Sequence, residues 1–187
     1  MSQNTTQNLN QENINHLESI ILGGGCFWCL DAIFVRIEGV CSVTSGYSGG
    51  DIPSPSYREI CTGQTNHAEV VKVDFDPTII SLSTILEIFW TAHNPTTLNQ
   101  QGHDKGTQYR SAIYYFLPAQ KEAIDQSVKD FAIPAWGESI TTQIIPAPKF
   151  YPAEEYHQKY FDKNPTQGYC NLVINPKLQK LKKYFKE

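Results

Sequence analysis

The stretch Gly23-Gly24-Gly25-Cys26-Phe27-Trp28-Cys29 constrains this chain more than any other. An apolar run, Ser19-Ile20-Ile21-Leu22, precedes it and reads as a buried strand. After it, Phe27, Leu30, Phe34 and Ile37 recur at helical spacing, with Gly39 as the stop. Three glycines therefore carry the chain from a strand end into a helix whose first turn holds Cys26. Unpaired backbone N–H groups and the positive end of the helix dipole stabilise an anion at such a place. The expectation is a depressed thiol pKa and a Cys26 that is nucleophilic near neutral pH. The alternative is a buried structural cysteine, since free thiols are among the most buried groups.

Composition narrows the class. A chain of 187 residues with 40% hydrophobic content can bury one core, so residues 17–187 are expected to form a single domain. A net charge of −4 and a pI near 5.7 argue against a nucleic-acid face, and the lysines of 177–186 read as a solvated helix end. No apolar run approaches membrane-spanning length, and the N-terminus lacks the basic start and apolar core of a signal peptide. Five cysteines without an export signal read as mostly reduced thiols, which points to the cytoplasm and a monomer whose disulfides are transient. Residues 1–16, rich in Asn, Gln, Ser and Thr, are expected to be a disordered polar tail.

Residues 40–47 read as a strand and residues 48–66 as a long loop of the functional kind. In Ala68-Glu69-Val70-Val71-Lys72-Val73-Asp74-Phe75, Val71, Val73 and Phe75 share one face and Lys72 and Asp74 the other. That period turns Glu69 toward the apolar face, where desolvation raises a carboxyl pKa and suits it to act as a general acid. Should the strand begin at Val70 instead, Glu69 is a solvated edge residue. A helix follows over 82–93, capped by Ser81 and stopped at Asn94-Pro95. Residues 95–110 form a second polar loop that holds Asp104 and Tyr109. Further elements are a strand over 111–117, a helix over 118–131, a strand over 141–145 and a helix over 153–163. A turn-rich, mobile segment over 165–169 then leads to Cys170. This order suits an α+β fold, a ferredoxin-like two-layer sandwich with a mixed or antiparallel sheet and long active-site loops.

Four blocks carry a resemblance. Gly25-Cys26-Phe27-Trp28 resembles the active-site signature of the A-type peptide methionine sulfoxide reductases. So do Tyr57-Arg58-Glu59-Ile60-Cys61-Thr62-Gly63 leading to His67-Ala68-Glu69-Val70-Val71, and Asp104 through Ser111. The run Tyr151 through Tyr160 and the later Gly168-Tyr169-Cys170 are similar too, so the likeness spans roughly residues 17–178. It implies no metal or organic cofactor. It implies that Cys26 attacks the sulfur of methionine-S-sulfoxide, free or in oxidised proteins, while Glu69 protonates the oxygen. Phe27 and Trp28 would receive the methyl group, and Tyr57, Asp104 and Tyr109 would hold the sulfoxide oxygen or a water. Cys170 matches the usual resolving cysteine, and thioredoxin would reduce the resulting disulfide. Two departures stand out: Cys29 and Asn66 lie where most relatives carry Gly.

Cys29 creates a Cys-x-x-Cys and so a competitor, or relay, for Cys170. The same motif at a helix start also fits a thioredoxin-like disulfide oxidoreductase. A zinc module using Cys26, Cys29, Cys61 and His67 is a further reading.

Overall fold

Ile20 and Leu22 turn one way from β1 (Glu18–Gly24) and Ile21 turns the other, and that alternation defines the two sides of the sheet. The structure, a computed structural model, describes residues 16–185. The other strands are β2 (Val40–Ser48), β3 (Ala68–Phe75), β4 (Gln100–Gln101), β5 (Asp104–Lys105), β6 (Ser111–Tyr115), β7 (Gln143–Pro146) and β8 (Phe150–Pro152). The α-helices are α1 (Phe27–Phe34), α2 (Tyr57–Ile60), α3 (Leu82–Ala92), α4 (Pro118–Ser127), α5 (Ile133–Trp136), α6 (Tyr160–Lys163) and α7 (Asn175–Leu181).

The main sheet runs β7-β6-β1-β3-β2-β8, while β4 and β5 pair apart as a small hairpin. All its neighbours are antiparallel except β6 and β7. The inner four strands, with α1 and α3 as crossovers, are the ferredoxin-like arrangement expected from the element order. On one face Ile20, Leu22, Val71, Val73, Phe75 and Ile113 pack under α1 and α3. On the other, Ile21, Val70, Ala112 and Tyr114 are covered by Ile145, Ala147 and Phe150.

Ser81 caps α3 as expected, its hydroxyl accepting from Thr84 N at 3.1 Å. The long loop between β2 and β3 is tied at its base. Gly50 N donates to His67 Nδ1 at 3.1 Å, His67 Nε2 bonds Ile52 O at 2.7 Å, and Asn66, at φ +57°, donates to Asp51 Oδ2 at 2.7 Å. Asn66 thus takes the left-handed backbone that Gly would take.

Four expectations need correction. The first helix stops at Phe34, and Ile37 instead bridges to Phe185. The helix over 118–131 widens into a π turn at Val128–Ala132 and continues to Trp136, since Pro134 has no N–H to carry the ladder on. No helix spans 153–163. Gln158 gives its amide to the carbonyls of Ser45 and Ala153 at 2.9 and 3.0 Å, and Lys159 turns left-handed at φ +51°. Only a 3-10 turn at Glu155–His157 and the short α6 remain. Lastly, Cys170 lies not on an open tail but in a π turn, Cys170–Ile174, running into α7, with its side chain fully in the core. The expected tail over 1–16 falls, save for His16, outside the described residues. Among those residues no helix is long and apolar enough to cross a membrane.

β8 docks on β2 at Gly46, which faces Pro152. A Cβ at Gly46 would collide with the Phe150 ring and come within 2.5 Å of the Tyr151 carbonyl oxygen. Gly46→Ala should therefore cost about 1–3 kcal/mol in urea denaturation by overpacking. A loss below about 0.5 kcal/mol, the usual scatter of surface changes, would mean that β8 shifts freely.

Candidate active site

Gly25 aims the catalytic turn. Its φ of +91° is left-handed, and a Cβ there would come within 2.6 Å of the Gln101 side chain. Cys26 follows as the N-cap of α1, and its carbonyl accepts from Cys29 N at 3.1 Å. The Trp28 N–H and the Tyr169 hydroxyl, both donors, favour its thiolate form. Burial wins over them and pushes the Cys26 thiol well above its ordinary value, and Glu69 and Cys29 push the same way. The depressed pKa expected from the helix start is thus corrected: burial, with Glu69 and Cys29 adding, outweighs the N–H groups of that turn. Cys29, buried one turn on, is also raised by desolvation, with Lys177 and Tyr169 opposing.

Glu69 settles its own alternative. It is the second residue of β3, opposite Tyr47, on the face of Val71 and Val73, and only 2% exposed. Its Oε2 accepts from Phe27 N at 3.2 Å, its one hydrogen bond among the described residues. Burial raises its pKa to about 8, with Asp104 adding and the Phe27 N–H opposing. At neutral pH the carboxyl therefore carries its proton.

An aromatic wall surrounds the pair. Trp28 stacks on Tyr160 at 3.7 Å between centroids and donates from Nε1 to His157 Nδ1 at 3.1 Å. The Phe27 ring lies 5.8 Å from Tyr47 and 5.1 Å from His157, whose ring Tyr57 meets edge-on at 4.3 Å. Glu154 pins this wall, accepting from Tyr47 Oη and from Tyr57 N, each at 2.8 Å. Burial keeps the Tyr57 and Tyr109 phenols protonated, and nearby Glu69 adds to the effect on both. Asp104 Oδ2 accepts a hydrogen bond from the Tyr169 hydroxyl at 2.7 Å. Cys26, Asp104 and Tyr169 line one cavity of about 120 Å³. A protonated carboxyl, a nucleophilic sulfur, phenol donors and an apolar wall thus converge, a set suited to attack on a polar bond with protonation of the departing oxygen.

The family model described as peptide methionine sulfoxide reductase matches residues 18–187. The chain belongs to the peptide methionine sulfoxide reductase family. It is 52% identical over 172 residues to a peptide methionine sulfoxide reductase MsrA of Acinetobacter baumannii (strain AYE), covering 90% of this chain and 96% of that one. It superposes on reduced Mxr1 from Saccharomyces cerevisiae with a TM-score of 0.79 and 38% identity, covering 83% of this chain and 90% of that one. Mxr1 in complex with Trx2 matches with a TM-score of 0.57 and 25% identity, over 78% and 86% of the two chains.

For a reductase of this family, most of the residues singled out from sequence gather around Cys26. Phe27, Trp28, Cys29, Tyr57, Glu69, Asp104 and Tyr109 all do. Cys170 does not open on the cavity, although its neighbour Tyr169 does. The zinc reading fails on arrangement: His67 has both ring nitrogens engaged, and no group of three or more His, Cys, Asp or Glu among the described residues is set to hold a metal. Sequence reasoning missed Tyr47, Glu154, His157, Tyr160 and Tyr169. The last four lie inside the family-like blocks, yet nothing in a linear pattern says which aromatic ring meets Trp28.

Tyr169 has one proton for Asp104 and two thiols, so it can favour a thiolate only by turning from the carboxylate. Tyr169→Phe should raise the Cys26 pKa and slow its alkylation at pH 8 about fivefold, as for loss of a hydrogen bond worth about 1 kcal/mol. An unchanged alkylation profile would mean the proton stays on Asp104.

Proposed function

We propose that this chain, through a single catalytic domain over residues 17–187, reduces the S epimer of methionine sulfoxide, free or in oxidised proteins. The observation that carries the reading is the buried, protonated Glu69 held against the first turn of α1 beside Cys26. Phe27 and Trp28 receive the methyl group in the apolar wall. Tyr57, Tyr109 and Asp104 hold the sulfoxide oxygen, the two phenols by donating and Asp104 through Tyr169 or a water.

The Cys26 sulfur attacks the sulfoxide sulfur as Glu69 gives its proton to the oxygen. Methionine departs, the oxygen stays on Cys26 as a sulfenic acid, and the thiol proton restores Glu69. Cys29 lies three residues away in the same helical turn, within ordinary disulfide reach, and the Tyr169 hydroxyl favours the thiolate form of both. It condenses first, forming Cys26–Cys29 and releasing water. Cys170, buried in its π turn, takes the bond over by exchange once that turn opens, and a thioredoxin dithiol reduces it. The Mxr1 complex with Trx2 supports that reductant. No metal or organic cofactor enters any step.

Rate should follow the sign of both shifts. Thiolate formation favours high pH, while the acid is lost as pH rises through about 8, the raised value of Glu69. Glu69→Gln should slow single-turnover reduction roughly a hundredfold and flatten the alkaline fall, with far less effect on Cys26 alkylation. A change under about fivefold would remove Glu69 from the role of acid. Equal turnover of both epimers, or activity in Cys26→Ala, would contradict the reaction itself. For the relay, Cys170→Ser should still form Cys26–Cys29 by mass spectrometry but cycle poorly with thioredoxin. A sulfenic acid that persists in Cys170→Ser would instead make Cys170 the first resolving thiol.

A further inference from the structure

The cavity on which Cys26 opens does not end there. Gln101 and Lys177 line it, and both also line a second cavity of about 250 Å³. The floor and walls of this second hollow are Thr91, Asn94, Trp136 and Lys180, and no carboxylate is among its lining residues. Its parts are fixed from below. Trp136 Nε1 donates to Trp90 O at 2.9 Å, and Lys180 Nζ donates to Thr91 O at 3.1 Å while standing 5.8 Å from the Trp136 ring centroid. Among the described residues, neither Lys177 nor Lys180 has a carboxylate at ion-pair distance. The one acidic side chain in the first cavity, Asp104, already accepts a hydrogen bond from the Tyr169 hydroxyl.

Lys177 and Lys180 are three residues apart on α7, so they share a side of it with about 4.5 Å between them along the axis. An extended peptide advances about 3.3 Å per residue. A substrate chain leaving the catalytic cavity past Lys177 therefore reaches Lys180 within about three residues of its sulfoxide. An aromatic face beside two ammonium groups that have no carboxylate partner among the described residues complements an extended backbone that bears a negative side chain.

We infer that this groove seats the polypeptide flanking the sulfoxide, and that Lys177 and Lys180 select substrates with an aspartate or glutamate within about three residues of it. The inference rests on the sulfoxide reduction proposed for Cys26, and binding can be measured apart from that chemistry.

The test uses blocked peptides with a central methionine-S-sulfoxide and one Glu, Gln or Lys at each of the three positions on either side. Capped termini leave the side chain as the only carboxylate. Turnover is read with the full chain, and affinity by calorimetry on its Cys26→Ser variant, at low salt. At the best position Glu should exceed Gln about three- to tenfold in both kcat/KM and affinity, and the excess should shrink with added salt. Lys180→Glu should reverse the order so that the Lys peptide leads. Equal affinities at all positions, or a Glu preference that Lys180→Glu leaves intact, would overturn the inference. Should no peptide be turned over while the Glu preference in affinity holds, the groove stands and the proposed reaction fails.

Discussion

One hydrogen bond, from Phe27 N to Glu69 Oε2, joins the two elements on which this site depends. It ties the first turn of α1 to the start of β3 across a sequence gap of 42 residues. A buried acceptor left without it would cost about 1–3 kcal/mol, so the carboxyl and the helix start hold each other in register. Everything else is set relative to that pair. The Gly25 turn puts the Cys26 sulfur beside it, and the Phe27 and Trp28 rings leave the same turn to meet His157 and Tyr160.

The resting site avoids charge. Desolvation pushes the Cys26 and Cys29 thiols and Glu69 toward their neutral forms, and the three phenols at the site stay protonated. A sulfur that stays protonated until substrate arrives reacts poorly with stray oxidants, because the thiolate is the nucleophile. The same burial that suppresses the thiolate gives Glu69 the proton that a departing sulfoxide oxygen needs. One physical cause thus serves acid and nucleophile, and it delays the nucleophile.

Much of this was legible in the chain. The Gly-rich turn, the alternation that turns Glu69 inward, the Ser81 cap and the succession of the main strands and helices follow from short-range rules that tertiary structure obeyed. The failures share a cause. A helix start lowers a thiol pKa locally, but the burial that overrides it is supplied by elements from elsewhere in the fold, with Glu69 on β3 adding to it. The acidic-first, basic-last pattern of residues 153–163 reads as a helix. Gln158, however, binds the β2 backbone and Glu154 binds Tyr47 and Tyr57, so the segment is pinned as a strap. Cys170 looked mobile because of its Pro and Gly neighbours, while Ile174, Leu178 and Leu181 after it supply an apolar helical face that buries it.

The protonation of Glu69 can be read directly. The carbonyl stretch of a protonated carboxyl is distinct in the infrared, and subtracting the Glu69→Gln spectrum isolates this one group. The expected result is a difference band present at neutral pH that vanishes with a midpoint near pH 8. A midpoint near the ordinary glutamate value of about 4.3 would contradict the burial that places an acid beside Cys26.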